Sequence, residues 1–232
     1  MANTLVFDVN GTLLDLAALE PLFTRIFDDA RVRHPWFGQV LESALVGEVT
    51  GEYRNFGLYG IAALEMQAQI RGVGINENDK LELRETMRRL PPHPEVPEAL
   101  ERVRKAGFKL VALTNNVLEV VEIQLTNAGI RDSFDHVLSV DAVQHLKPHP
   151  AVYEYAARTL ETPINKLRMI AAHDWDIRGA MLTGMRGAFV VRDGLAWNPL
   201  FERPDVWGKD LLEVTTQLVR SKYDFNGHGL KR

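Results

Sequence analysis

Short apolar, β-branched runs recur along the chain: TLVFDV at 4–9, FKLVALTN at 108–115, HVLSV at 136–140, LRMIAAH at 167–173 and GAFVV at 187–191. Between them, 94–106, 117–128, 150–160 and 176–184 carry apolar residues at helical spacing. Strand and helix alternating at this rhythm predict an α/β fold, a Rossmann-like, doubly wound and mainly parallel sheet covered by helices. Glycines in AGF (106–108), NAGI (127–130) and TGMRG (183–187) fall near the predicted helix ends, where a left-handed cap suits glycine.

Residues 15–90 break the rhythm. They hold no convincing β run but much helical pattern, as in PLFTRIFDDA, WFGQVLESALVG, YGIAALEMQAQI and DKLELRETMRRL. PPHPEVP (91–97) then marks the return to the α/β pattern. The expected organisation is a catalytic core of 1–14 plus 91–220, a helical cap subdomain of 15–90 inserted after the first strand, and a loosely ordered polar tail, 221–232.

Composition narrows the function. A 46% hydrophobic share supports a substantial core, and a net charge of −4 argues against a dominant nucleic-acid or anionic-membrane surface. The chain has no cysteine, which excludes disulfides, thiolate metal sites and cysteine nucleophiles. No signal peptide and no membrane span are evident, so a cytoplasmic protein acting on a small molecule is the expectation. Internal repeats, a glycine-rich phosphate loop and an HExxH zinc motif are all missing from the sequence.

In an open parallel sheet, ligands bind beyond the carboxyl ends of the strands. The polar residues there are Asp8, Asn10 and Thr12; Thr114, Asn115 and Asn116; Lys147 in HLKPHP; and His173, Asp174 and Asp176 in AAHDWDIRGA. Each alone has an ordinary structural reading, such as a turn at Asn10-Gly11 or a helix cap at Thr114. Their convergence on one crevice points to a site.

DxxGT at one strand end, Thr-Asn at a second, a Lys-Pro and a final acid-bearing loop resemble the haloacid dehalogenase superfamily. FKLVALTNN, FDHVLSVDAVQHLKPHPAVYEYA and AAHDWDIRGA are similar to its type II (L-2-haloacid) dehalogenases, including Tyr153 six residues after Lys147. Superfamily phosphatases place a second aspartate two residues after the nucleophile to protonate a poor leaving group. Here that position is Asn10, which cannot do so, whereas halide leaves without a proton. The phosphatases also hold magnesium with two acids four residues apart in the last loop. Four residues before Asp176 stands Ala172, so a metal-independent enzyme with no cofactor is expected, with Asp174 as the one residue that a rearranged loop would offer to magnesium.

The resemblance implies that Asp8 displaces halide from a short 2-haloalkanoic acid, and that water then releases a 2-hydroxy acid from the aspartyl ester. Lys147 would keep Asp8 ionised. Thr12 would orient it, Thr114 would hold the substrate carboxylate, and Asn115 would face the halide. Asp176 and His173 would position or deprotonate the water, with Tyr153 holding Lys147 or Asp176. The chain departs from the family at the cap arginine after a tryptophan, where Phe37 follows Trp36; Gln39, His173 and Arg54 are the candidate replacements. Ala171 and His173 likewise replace a serine and an asparagine. Trp36, Phe37, Leu41, Phe56, Leu58 and Tyr59 are candidates for an apolar lid over Asp8, and Trp175 is assigned to packing. A magnesium-dependent phosphatase and a catalytically silent or differently specific relative remain as alternatives, and a homodimer is an expectation from resemblance beside a stable monomer.

Overall fold

The computed structural model describes residues 3–227. Strand β1 (Thr4–Phe7) is wholly buried, as a strand covered on both faces must be. It pairs in parallel with β2 (Lys109–Thr114) on one side and β4 (Leu167–Ala171) on the other. Adding β3 (His136–Ser139), β5 (Arg186–Val190) and β6 (Val206–Gly208) gives a six-stranded parallel sheet in the order β3-β2-β1-β4-β5-β6 among the described residues. The order reverses between β1 and β4. In sheets of this kind the crevice at that reversal is where ligands lie. Phe7 pairs with Ala112 and Ile170, and the Asp8 N–H donates to the Ile170 carbonyl at 3.0 Å, so β1, β2 and β4 end at one level.

The crossovers are α5 (Val96–Lys105), α6 (Leu118–Asn127), α7 (Pro150–Thr159) and α8 (Asp174–Leu182). α9 (Leu211–Gly227) closes the described chain against α5. Residues 15–90 carry α1 (Glu20–Phe27), α2 (Arg33–Thr50), α3 (Phe56–Arg71) and α4 (Glu77–Arg88), with no strand. The two ends of this helical segment are stitched together. Asp15 N–H donates to Pro91 O at 2.8 Å, and His93 N–H to Leu13 O at 2.9 Å. The segment thus leaves and re-enters the sheet layer at one point, next to Asp8.

Two features differ from the pattern read in the sequence. β6 is three residues long and follows a proline-bearing loop, too short for an apolar run to signal; it exists because Val206 finds Ala188 of β5. The segment 221–232 was expected as a polar tail, yet helix α9 continues through it to Gly227. Lys222 supplies a reason, with Nζ donating to the Gly107 carbonyl at 2.8 Å and lying 4.1 Å from the centre of the Phe108 ring. Residues 228–232 lie outside the described residues. No described helix is long and apolar enough to cross a membrane.

Candidate active site

Asp8 follows β1 directly, and the next residues form a tight turn. The carbonyl of Val9 accepts from the N–H groups of Thr12, Leu13 and Leu14 at 3.3, 2.9 and 3.0 Å. Gly11 sits at φ +76°, and a Cβ there would lie 3.0 Å from His173 Nε2, so both backbone shape and space favour glycine. The turn brings Thr12 back over Asp8. Its hydroxyl donates to Asp8 Oδ2 at 2.6 Å and accepts the Ala172 N–H at 2.9 Å, tying the β1 end to the β4 end.

Lys147 arrives from the loop after β3, where the Lys147–Pro148 peptide is cis. Its ammonium donates to Asp8 Oδ1 at 2.8 Å, Asp176 Oδ2 at 2.6 Å and the Leu113 carbonyl at 3.1 Å, which uses its three protons. Its own N–H donates to Asn115 Oδ1 at 2.9 Å. That contact fixes the Asn115 side chain with its amide nitrogen free for the crevice. Tyr153 donates to Asp176 Oδ1 at 2.7 Å, so each carboxylate oxygen of Asp8 and Asp176 already accepts one strong bond. α8 approaches closely enough that a Cβ on Gly179 would meet Pro148 Cβ at 2.5 Å and the Tyr153 hydroxyl at 2.8 Å.

One cation shared by two buried carboxylates divides them. Burial alone pushes the Asp8 carboxyl up, but the Lys147 and His173 charges and the bonds from Lys147 and Thr12 outweigh it, leaving Asp8 below its ordinary value. For Asp176 burial prevails over the attraction of Lys147, and with Asp8 adding repulsion its carboxyl lies above the ordinary value. Burial lowers the Lys147 ammonium, yet Asp176 and Asp8 together hold it above 10.5, so it stays charged at neutral pH. The cluster titrates as a unit in which Asp8 is the readily ionised member.

A cavity of about 20 Å³ faces Asp8, lined also by Asn10, Thr114, Asn115, Lys147, His173 and Trp175 from the sheet layer and by Phe37, Leu41 and Phe56 from the helical segment. Most of the residues expected at the site meet here. Gln39 does not. It lies on another face of α2, donates to Glu42 at 3.0 Å and borders a surface hollow that also contains Arg54 and Tyr59. The helical period turns Gln39 away from Phe37. Arg54 is exposed beside Glu52, so neither it nor Gln39 stands in for the missing arginine. Trp36 and Leu58 border a neighbouring apolar cavity of about 270 Å³, which shares Phe37 and Phe56 with the first. Trp175, assigned to packing, is a wall of the Asp8 cavity and stacks on His173 with ring centres 5.3 Å apart.

Asp176 has no edge on this cavity. It stands behind Lys147 and Tyr153 with its side chain fully enclosed, and Tyr153 serves Asp176 rather than Lys147. His173 does line the cavity, with Nε2 3.0 Å from the Asn10 carbonyl, a donating contact, and 3.7 Å from Asp8 Oδ2. Two participants carried no clear sequence signal. Gln124, fully buried in α6, donates to Asn10 Oδ1 at 3.1 Å and the Met87 carbonyl at 2.7 Å, and accepts from Asn116 at 3.2 Å. Arg192 donates to the Thr12 carbonyl at 2.8 Å and to Glu95 at 2.6 Å. A lone glutamine beside Val121 on a buried helix face was the only hint of the first.

A family model described as haloacid dehalogenase-like hydrolase matches residues 2–180. An (S)-2-haloacid dehalogenase of Pseudomonas sp. (strain YL) is 28% identical over 219 residues, covering 94% of each chain. The (S)-2-haloacid dehalogenase 2 of Pseudomonas sp. (strain CBS-3) is 30% identical over 202 residues, 86% of this chain and 88% of that one. The solved L-2-haloacid dehalogenase of Xanthobacter autotrophicus superposes with a TM-score of 0.87 at 24% identity, over 95% of this chain and 99% of the other, a likeness of fold.

Proposed function

Because the chain belongs to the haloacid dehalogenase-like hydrolases, matched over residues 2–180, we propose that it hydrolyses short 2-haloalkanoic acids to 2-hydroxy acids without a metal. The observation that carries the reading is Asp8 held ionised by Lys147 and Thr12, next to Asn10, which cannot donate a proton to a leaving group. Relatives covering most of the chain and named for 2-haloacid dehalogenation support the same chemistry.

In the first step one Asp8 oxygen attacks the carbon bearing the halogen. The C–O bond forms as the C–halogen bond breaks, and the pair leaves with the halide. The other Asp8 oxygen keeps its donor, Lys147 or Thr12. In the second step water adds to the Asp8 carboxyl carbon, and that donor stabilises the charge on the former carbonyl oxygen. Collapse breaks the ester bond; the departing alkoxide takes up a proton relayed by Lys147 to become the hydroxyl of the 2-hydroxy acid, and the carboxyl proton left on Asp8 passes to solvent, which restores the carboxylate. Asp176, the more basic carboxylate, takes the water's proton through Lys147, which gives a proton to Asp176 as it receives one. His173 positions the water through the cavity wall it forms, and Thr114 with Asn115 holds the substrate carboxylate and halide. Phe37, Leu41 and Phe56 exclude bulk water from the carboxylate.

Residues 15–90 are read as the cap and 1–14 with 91–220 as the core, in a cytoplasmic enzyme able to pair as a homodimer. The test is halide release from chloroacetate, fluoroacetate and both 2-chloropropionate enantiomers by EDTA-treated protein, with Asp8→Asn as the blank. Release by the wild type alone is expected. Release that requires magnesium, or that persists in Asp8→Asn, overturns the mechanism.

A further inference from the structure

Away from the catalytic cluster, the described residues bring together one set of metal-ligating side chains: Glu48 near the end of α2, and His145 and His149 from the loop between β3 and α7. Glu48 is the enclosed member, its side chain 13% exposed against 42% for His145 and 37% for His149. It is held from behind, because Oε2 accepts the Leu146 N–H at 2.7 Å. That leaves Oε1 facing both rings, 2.6 Å from His145 Nδ1 and 3.9 Å from His149 Nε2. The two imidazoles lie face to face, centres 3.9 Å apart and planes within 7°. Each ring turns one nitrogen toward that carboxylate, and the three ligand atoms lie within 4.8 Å of one another.

We propose that Glu48, His145 and His149 form a binding site for a divalent transition metal of the zinc type, pinning helix α2 to the loop that carries Lys147. Two imidazole nitrogens and one carboxylate oxygen, with the outer side open to water, match a three-ligand zinc set, whereas magnesium and calcium call for six or more oxygens. Tetrahedral zinc at about 2.0–2.2 Å from each donor needs donors about 3.3 Å apart. The observed 2.6 and 3.9 Å straddle that spacing, and because the rings lie parallel, one exposed imidazole turns out of the stack to bring both nitrogens onto one ion. On binding, the proton on His145 Nδ1 leaves to solvent. In His149 the proton moves from Nε2 to Nδ1, and the bond that Nδ1 accepts from the Ala151 N–H at 3.2 Å is given up.

The position gives the ion a consequence. His145 and His149 flank Lys147 by two residues each and point outward to α2 while Lys147 points inward to Asp8. The Asp8 cavity has α2 residues Phe37 and Leu41 in its wall. An ion on Glu48, His145 and His149 therefore holds the wall of that cavity shut.

The test is calorimetric titration of zinc chloride into the full, EDTA-treated and desalted chain, with cobalt(II) absorption as a second readout. One ion per chain is expected, with visible cobalt bands stronger than those of the hexaaqua ion. His145→Gln keeps a donor to Glu48 but is a poor ligand, and it should weaken binding by about tenfold or more, as should Glu48→Gln. The His145→Ala/His149→Ala double variant, checked for folding by circular dichroism, should not bind. Absence of saturable binding below about 1 mM, or a double variant that binds like wild type, overturns the proposal.

Discussion

Lys147→Met removes the ammonium and keeps an unbranched stem of similar length. At 2.8 and 2.6 Å from the two carboxylates, and at an effective dielectric of about 20, its attraction for each is on the order of 6 kcal/mol. Desolvation of three buried charges offsets much of that in the wild type, but stripping one partner exposes the full burial cost of the others. The expected loss of stability at pH 7 is therefore about 3–5 kcal/mol. Its pH dependence identifies the cause. In the wild type the depressed Asp8 carboxyl contributes stability above the ordinary value of 3.8, lost as pH falls through the folded value. The raised Lys147 ammonium contributes below 10.5 and is lost as pH rises through its folded value. Without the ammonium, burial and mutual repulsion raise both carboxyls above their unfolded values. The folded variant then takes up protons that the unfolded chain does not, and its deficit shrinks between about pH 7 and pH 5. Urea unfolding at the two pH values measures this as a difference in midpoint at unchanged slope. A deficit below about 1 kcal/mol, or one that does not change with pH, would refute the view that Lys147 carries the charge balance of the site.

Tyr153→Phe removes the hydroxyl on Asp176 Oδ1, a contact that lowers the Asp176 carboxyl. The acid limb of the pH–rate profile should move upward, and an unmoved limb would place Asp176 outside the rate-determining protonation. Gln124→Leu conserves bulk but strips Asn10, Asn116 and the Met87 carbonyl of a shared partner. Urea denaturation should show a loss of about 1–3 kcal/mol, and a neutral result would mean that water replaces the glutamine. Gly179→Ala drives a methyl to 2.5 Å from Pro148 Cβ and 2.8 Å from the Tyr153 hydroxyl. Overpacking of about 1–3 kcal/mol should lower Tm, and an unchanged Tm would show that α8 shifts freely.

Fold class and the strand-end residues were legible in the sequence because both follow from local rules. A strand buried on both faces must read as a run of Leu, Val and Phe, as at Leu5, Val6 and Phe7. A parallel sheet delivers the residues after its strands to one edge whatever the loops contain, which is why Asp8, Thr114, Lys147 and His173 could be grouped before any distance was known. Tertiary structure alone decided the division of labour among them. Gln39 and Phe37 are two positions apart on α2, and only the orientation of that helix sends one to the cavity and the other to the surface. Gln124, Arg192 and the backbone N–H of Ala172 act through partners 114, 180 and 160 positions away in sequence, where no period records them. The Asp176 carboxyl is raised because burial and the neighbouring Asp8 outweigh Lys147, and Asp8 is lowered because Lys147, His173 and Thr12 together outweigh its burial; sequence spacing carries no information on burial or on which donors surround each of two like charges.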